Sequence, residues 1–321
     1  MSSRCEGLLE RVRATGLLVS GEPVVVMLSG GRDSVCLLDI AATICGPGSV
    51  RALHVNYGLR EDAGADEAWC RELCARLGVA LEVEKARAPQ AGNLQAWARD
   101  FRYGAGASLA ASTGADLAAG HTLSDQAETV LYRLAASPGR RALLGMPGRR
   151  GRLVRPLLAA GMTREETTAW CEDRGLAWAE DSTNEAGPYA RTRIRGEVVP
   201  ALEEVNPAAV ANIARTAELL RDEAEVLDMV VETALAGRRE IPLDHLEALP
   251  VALARLVVRE LAEASTGAPC PRAASRLDGI LALDRGTAGA ALDVGDGARA
   301  VVEGGVLRFE RSPERSRTSG R

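Results

Sequence analysis

Residues 24–40 read VVVMLSGGRDSVCLLDI, and the change of pattern inside this stretch decides the fold. Val24 to Leu28 is a short, continuous apolar run rich in β-branched side chains, as expected of a strand buried on both faces of a parallel sheet. After Ser29-Gly30-Gly31-Arg32-Asp33-Ser34, apolar residues return as Val35, Leu37, Leu38 and Ile40 with helical spacing. A strand, a glycine-containing turn and a helix start bring several backbone N–H groups to one point, and the positive end of the helix dipole adds to them. Gly30 and Gly31 let the main chain turn tightly and approach a ligand without a Cβ clash. The turn therefore suits phosphate oxygens; an ordinary helix capped by Asp33 or Ser34 is the alternative reading.

The kind of phosphate site is narrowed by what the chain lacks. A Walker A loop needs G-x-x-x-x-G-K-[ST], and Lys85 is the only lysine in the sequence. A dinucleotide fingerprint needs G-x-G-x-x-G, which Gly30-Gly31 does not provide. The pattern S-G-G-x-D-S after a strand instead resembles the pyrophosphate loop of the N-type ATP pyrophosphatases, which cleave ATP to AMP and pyrophosphate. That resemblance implies that Ser29, Gly30, Gly31, Arg32, Asp33 and Ser34 bind ATP and that Asp33 organises Mg²⁺.

Outward from this turn, strands and helices alternate. Val50 to Tyr57 reads as a second strand, Asp66 to Leu77 as a helix stopped by Gly78, and Val79 to Glu84 as a third strand. Asn93 to Ala111 is helical, Asp116 to Gly120 is a short fourth strand, and a helix runs from Ser124 to Ala135. Such alternation predicts an α/β fold with a doubly wound, Rossmann-like parallel sheet. Ligands on such a sheet bind beyond the carboxyl ends of the strands at the switch point. This gathers Ser29 to Ser34, His54 and His121 around one crevice and makes both histidines candidate nucleotide contacts. His245 reads as structural.

Residues 139–151 read as a mobile, arginine-rich loop. Thr163, with Glu166 three residues later, predicts a capping box for a helix to Arg174. A boundary is expected near Pro200 to Pro207, giving a catalytic domain over 1–200. A helical module follows over 201–265, then a small α+β unit over 266–310 with a hairpin, and a disordered tail over 311–321. Asn206-Pro207 predicts the start of a long helix whose apolar stripe is Val210, Ile213, Ala217, Leu220, Ala224, Leu227 and Val231.

Composition sets further bounds. With 46% hydrophobic and 26% charged residues over 321 positions, two or three globular units are expected. Aromatics at 3% argue against extended base-stacking platforms. No uncharged apolar run reaches the length of a membrane span, and Arg4, Glu6, Glu10, Arg11 and Arg13 are too charged for a signal peptide. Seven cysteines without a paired framework fit a reducing cytoplasm, and Cys70 and Cys74 read as small buried apolar groups. Net charge is −5, but arginines concentrate at 140, 141, 149, 150, 152 and 155 and again at 191, 193 and 195. Arginine forks suit phosphate contacts; a solvated arginine-rich loop fits the same pattern equally well.

The series HVNYGLR (54–60), NLQAWARDFRY (93–103), GHTLSDQAET (120–129), RPLL (155–158) and EDSTN followed by RTRIRGEVVPAL resembles the ordered motifs of the tRNA(Ile)-lysidine synthetases. The likeness covers about the first two hundred residues. It implies an enzyme that uses ATP to adenylate O2 of the wobble cytidine in isoleucine tRNA with a CAU anticodon. The amine of free L-lysine then displaces AMP. It assigns Asp125 and Glu128 to substrate lysine or metal, their alternative being a carboxylate pair that complements a helix dipole. Arg99, Arg102, Arg141, Arg193 and Arg195 resemble family arginines near phosphates and tRNA, with a solvated surface as the alternative.

Departures from the pattern are Tyr57, Thr122, Ser124, Ala136-Ser137-Pro138-Gly139 and Thr192. Two other functions remain open on these grounds. One is a tRNA thiolation enzyme on the same scaffold, against which the lack of C-x-x-C speaks. The other is an inactive nucleotide- or tRNA-binding paralogue. A homodimer is a further open expectation.

Overall fold

The structure is a computed structural model that describes residues 2–58, 63–87, 93–136, 139–179, 190–286 and 289–313. Residues 180–184, 137 and 138, which belong to motifs noted above, lie outside the described residues, as does the tail from 314. Contacts divide the chain into two compact units, residues 1–221 and 222–321.

The first unit opens with helix α1 (Ser3–Ala14) and strand β1 (Val24–Met27). There follow α2 (Arg32–Cys45), β2 (Val50–Asn56), α3 (Ala63–Leu77), β3 (Ala80–Lys85), α4 (Leu94–Thr113), β4 (Asp116–Ala118) and α5 (Leu123–Ala136). The predicted strands and helices are present to within a few residues. Strand order is β3-β2-β1-β4, all parallel, continued by β6 (Leu153–Val154) and the antiparallel β5 (Arg149–Arg150). The chain winds outward from β1 through β2 to β3 and then returns to the other side of β1 as β4, so the switch point lies between β1 and β4.

Every residue of β1 is buried. Val24, Val26 and Leu28 enter a core shared with Leu37, Leu38, Ile40 and Trp170, while Val25 and Met27 pack with Leu53, Ala110 and Leu117 on the opposite face. Burial on both faces explains why this strand shows no polar alternation, each valine contributing about 1.5–3 kcal/mol.

The mobile loop expected over 139–151 is corrected. That stretch holds a short helix, α6 (Arg140–Leu143), and β5, which pairs with β6. Its arginines are largely used locally: Arg149 bonds Asp116 at 2.7 Å, Arg152 donates to Gly114 O at 2.8 Å, and Arg155 donates to Pro147 O at 2.8 Å. Gln126 on α5 brackets the same stretch, accepting from Met146 N–H at 2.7 Å and donating to Met146 O at 3.0 Å.

Beyond α7 (Pro156–Ala159), helix α8 (Arg164–Asp173) carries the predicted capping box between Thr163 and Glu166. It lies along α2. The buried Asp39 carboxylate accepts from Trp170 Nε1 at 2.9 Å and from Arg174 Nε at 2.9 Å, and this hydrogen bond raises the Arg174 pKa. One turn toward its start, Thr167 Oγ1 donates to Asp33 Oδ1 at 2.5 Å. The two helices therefore run in the same sense, with both N-termini at the switch point. The unit continues through α9 (Ala190–Arg193), a π-helical turn (Ile194–Val198) and α10 (Val199–Val205) into the long α11 (Ala209–Leu235), within which the two compact units divide. All seven stripe residues predicted for α11 are buried or half-buried.

In the second unit, α12 (Leu243–Ala248) and α13 (Val251–Thr266) accompany a four-stranded antiparallel sheet, ordered β7 (Glu240–Pro242), β10 (Val306–Arg311), β9 (Ala298–Glu303), β8 (Ala290–Gly295). The hairpin expected within 266–310 is thus a three-stranded meander with a fourth strand contributed from far upstream. The helical part of this small unit is a 3₁₀ turn (Ala273–Arg276) followed by α14 (Leu277–Leu281). Val257, Val258, Leu261, Ile280, Val302 and Leu307 fill the core of this unit.

Asp39→Ala leaves Trp170 Nε1 and the Arg174 guanidinium without their shared acceptor. It is expected to destabilise the protein by about 3 kcal/mol, read as a lower urea midpoint; an unchanged midpoint would show that this link does not hold α8.

Candidate active site

A cleft of about 650 Å³ opens at the switch point, lined by Ser29, Gly31, Arg32, Asp33 and Ser34 after β1, by Gly120, His121 and Asp125 after β4, and by Arg102, Tyr103, Arg164, Trp178 and Arg195. The turn after β1 is held by its own serines. Ser34 Oγ donates to Gly31 O at 2.7 Å and accepts from Ser29 N–H at 3.2 Å, and Ser29 Oγ accepts from Gly31 N–H at 3.3 Å. Gly30 has φ +87°, a conformation that favours glycine. Gly31 is the N-cap of α2 and makes no side-chain cap. The N–H groups of Arg32 and Asp33, in the first turn of α2, find no acceptor among the described residues, and such helix-start donors suit an anion.

The strand end opposite comes close. A Cβ added to Gly120 would stand 2.9 Å from Asp33 O and 3.1 Å from Ser34 N. Only a glycine at 120 lets the end of β4 and the phosphate turn lie against each other.

Asp33 is pulled in two directions. Burial raises its pKa, while Thr167 and, at 3.3 Å, Arg32 oppose the shift. Asp125 closes a capping box of its own, its Oδ2 accepting from Thr122 N–H at 2.8 Å and Thr122 Oγ1 at 3.0 Å. Its Oδ1 faces Arg164 at 3.1 Å. Glu128, one turn on, is buried and accepts from Arg164 at 3.1 Å and from Arg195 through Nε at 2.8 Å and a terminal nitrogen at 3.0 Å.

His121 lies at the cleft with an unpartnered buried Nδ1. Burial first, then the charges of Arg155, Arg99 and Arg102, lower its pKa to about 4, opposed by Asp125. The ring is therefore neutral near pH 7. Arg99 and Arg102 sit over the ring of Tyr103 at 5.0 and 5.9 Å from its centroid, and Tyr103 Oη and Arg102 Nε are buried without a partner.

Of the residues singled out from sequence, Ser29, Gly31, Arg32, Asp33, Ser34, His121, Asp125, Arg102 and Arg195 line one cleft, with Glu128 directly behind. His54 does not reach it. Its imidazole is buried, with Nδ1 3.0 Å from Leu28 O and 3.5 Å from Cys70 Sγ, because its side chain stands on the sheet face that α3 covers. Arg141 on α6 and Arg193, exposed and 3.7 Å from Glu197, are not cleft residues.

Sequence reasoning missed Arg164, Thr167 and Tyr103. A signal for Arg164 existed: a cation at the first position of a helix opposes the dipole, so it needs a partner elsewhere.

A phosphate-directed turn at the switch point of a doubly wound sheet, with acidic groups facing it, defines an ATP-binding protein of the PP-loop class. Residues 6–202 match the PP-loop domain family. A tRNA(Ile)-lysidine synthase of Symbiobacterium thermophilum is 38% identical over 95% of this chain and 69% of its own length. One from Nocardia farcinica is 37% identical over 91% of this chain and 94% of its own. One from Thermus thermophilus is 40% identical over 76% of this chain and 48% of its own. Among solved structures, the U34-tRNA thiolase NcsA from Methanococcus maripaludis with its [4Fe-4S] cluster aligns with TM-score 0.57 at 20% identity, over 68% of this chain and 79% of that one, a likeness of fold. The chain belongs to the tRNA(Ile)-lysidine synthase family, and with it to the ligases. No described helix is long and apolar enough to cross a membrane.

Gly120→Ala is expected to push the phosphate turn aside and weaken ATP binding about tenfold or more, measurable by calorimetry; unaltered affinity would show that the turn has slack. Because the folded-state pKa of His121 lies below that of the unfolded chain, its contribution is present above about pH 6.5 and is lost as pH falls toward 4. His121→Gln should flatten the pH dependence of stability in that window, and an identical profile would remove His121 from it.

Proposed function

We propose that this chain adenylates O2 of the wobble cytidine of isoleucine tRNA with a CAU anticodon and joins free L-lysine to the base, giving lysidine, AMP and pyrophosphate. The observation that carries the reading is the meeting of a phosphate-directed turn and Asp125 at one cleft, with Glu128 directly behind and joined to Asp125 through Arg164. A pyrimidine carbonyl oxygen leaves poorly, and transfer of AMP to it creates a good leaving group. The turn supplies N–H groups to the departing pyrophosphate, and Arg32 and Arg102 add positive charge on its path. Asp125 and Glu128 hold the side-chain ammonium of lysine and draw off its proton, so that the amine can attack C2 of the activated ring.

Asp33 fits Mg²⁺, since the ion uses one or two carboxylates together with substrate phosphates, and a desolvated carboxylate with a raised pKa gains from a cation beside it. Bound there, the ion supplies charge neutralisation for the phosphates. The helical stretch over 201–265 offers tRNA contacts in this reading, and the reaction takes place in the cytoplasm, where tRNA, ATP and lysine are available.

Sulfur transfer is the competing chemistry. All seven cysteines are buried, and burial raises the thiol of Cys70 to about 12 and that of Cys74 to about 11, far from the thiolate that sulfur delivery needs.

Incubation with ATP, Mg²⁺, lysine and the CAU isoleucine transcript is expected to add one lysyl group to a cytidine, seen by mass spectrometry of the digested RNA. A sulfur-bearing base, or no ATP cleavage, would refute the assignment. Asp33→Asn is expected to lower AMP formation at least about a hundredfold while thermal melting is retained; wild-type turnover would exclude Asp33 from the chemistry.

A further inference from the structure

The acidic pair is already saturated with cations. Glu128 takes three guanidinium contacts within 3.1 Å, two from Arg195 and one from Arg164. Asp125 commits Oδ2 to Thr122 and Oδ1 to Arg164. An ammonium brings three donors and a full charge, so docking beside both arginines would set three cations against two carboxylates, and displacement of one arginine restores the balance. The two arginines differ in how firmly they are held. Arg164 is 21% exposed and stands at the capped start of α8, which Asp39, Trp170 and Arg174 fix to α2. Arg195 is 41% exposed and lies in the π-helical turn Ile194–Val198, where Val199 N–H reaches back to Ile194 O. Such turns are rare and frequently mark functional sites.

The same segment rests on α5 in register: Arg191 lies 5.6 Å from the ring centroid of Tyr132, and Arg195 meets Glu128, so each pair is four residues apart on its own helix. Withdrawal of Arg195 leaves Glu128 balanced by Arg164, and an arriving ammonium restores the lost charge. The freed guanidinium would join Arg191, four residues earlier on the same face of the segment, as a pair of forks suited to RNA phosphates, whereas Arg193 faces Glu197 instead.

We infer that Arg195 is an internal stand-in for the substrate ammonium, holding Glu128 until an RNA phosphodiester draws it off and lysine takes its place. The inference rests on the proposed lysine-transfer reading and adds a rule to it: binding of RNA and of lysine is positively coupled, and the factor is the same in both directions.

Calorimetric titration of the full chain with L-lysine, with and without the tRNA transcript, tests this. Wild-type protein should bind lysine about tenfold more tightly when RNA is present. Arg195→Gln should reach that tighter affinity without RNA and gain nothing from adding it, whereas Arg193→Gln should keep the coupling. No gain in affinity for Arg195→Gln, or persistence of the RNA effect in it, would overturn the inference. If Arg195→Gln fails to fold, the wild-type protein decides: lysine must raise RNA affinity by the factor that RNA raises lysine affinity, and absence of any coupling overturns the stand-in role. Product formation is scored separately. Wild-type protein that makes lysidine without such coupling loses the gate and keeps the reaction, whereas wild-type protein that makes no lysidine loses the reaction itself.

Discussion

Gly120 against the backbone of Asp33 is the contact on which the site depends. A parallel sheet whose connections leave β1 in two directions has no crossover to cover the gap between β1 and β4. The width of that gap is set by how closely the two strand ends approach, and here backbone meets backbone with no space for a methyl group. The starts of α2, α5 and α8 are brought to the same opening, through Arg32 and Asp33, through Asp125, and through Arg164. Three positive helix ends facing one cleft create a field that favours anions, and the carboxylates placed among them are partly offset by it.

Charge in the cleft is balanced by pairing and not by solvent. Asp33, Asp125 and Glu128 face Arg32, Arg164 and Arg195, with Thr167 and Thr122 filling remaining acceptor positions. Buried pairs of this kind contribute little net stability, because desolvation offsets attraction, but loss of one partner is costly. They fix geometry. Asp39, remote from the cleft, does the corresponding work for α8 by satisfying Trp170 and Arg174 together.

The sheet was legible because its strands and helices carry opposite periodicities, and the turn after β1 because its residue types are few and contiguous. Asp125 and Glu128 could be found because the stretch 120–129 that holds them resembles a family motif. Arg164 announces itself only as a cation at a helix start; its partners lie 36 and 39 positions away, and only folding joins them. His54 misled for a related reason. Position at a strand end says which edge a residue occupies, whereas the side of the sheet it faces depends on register, and this imidazole turns inward to Leu28 O. The arginines of 149–155 were read equally well as phosphate ligands or a solvated loop. Arg149, Arg152 and Arg155 do a third thing, which is to bond carbonyls and a carboxylate around β5 and β6.

The burial of all seven thiols has a practical consequence. Alkylating reagents act on an exposed thiolate, so folded protein resists them and modification waits on opening of the surrounding structure. Six of the cysteines lie in the nucleotide-binding unit and one, Cys270, in the other. The order in which they become alkylated under mild denaturant therefore provides a clock, internal to the chain, for which half loosens first.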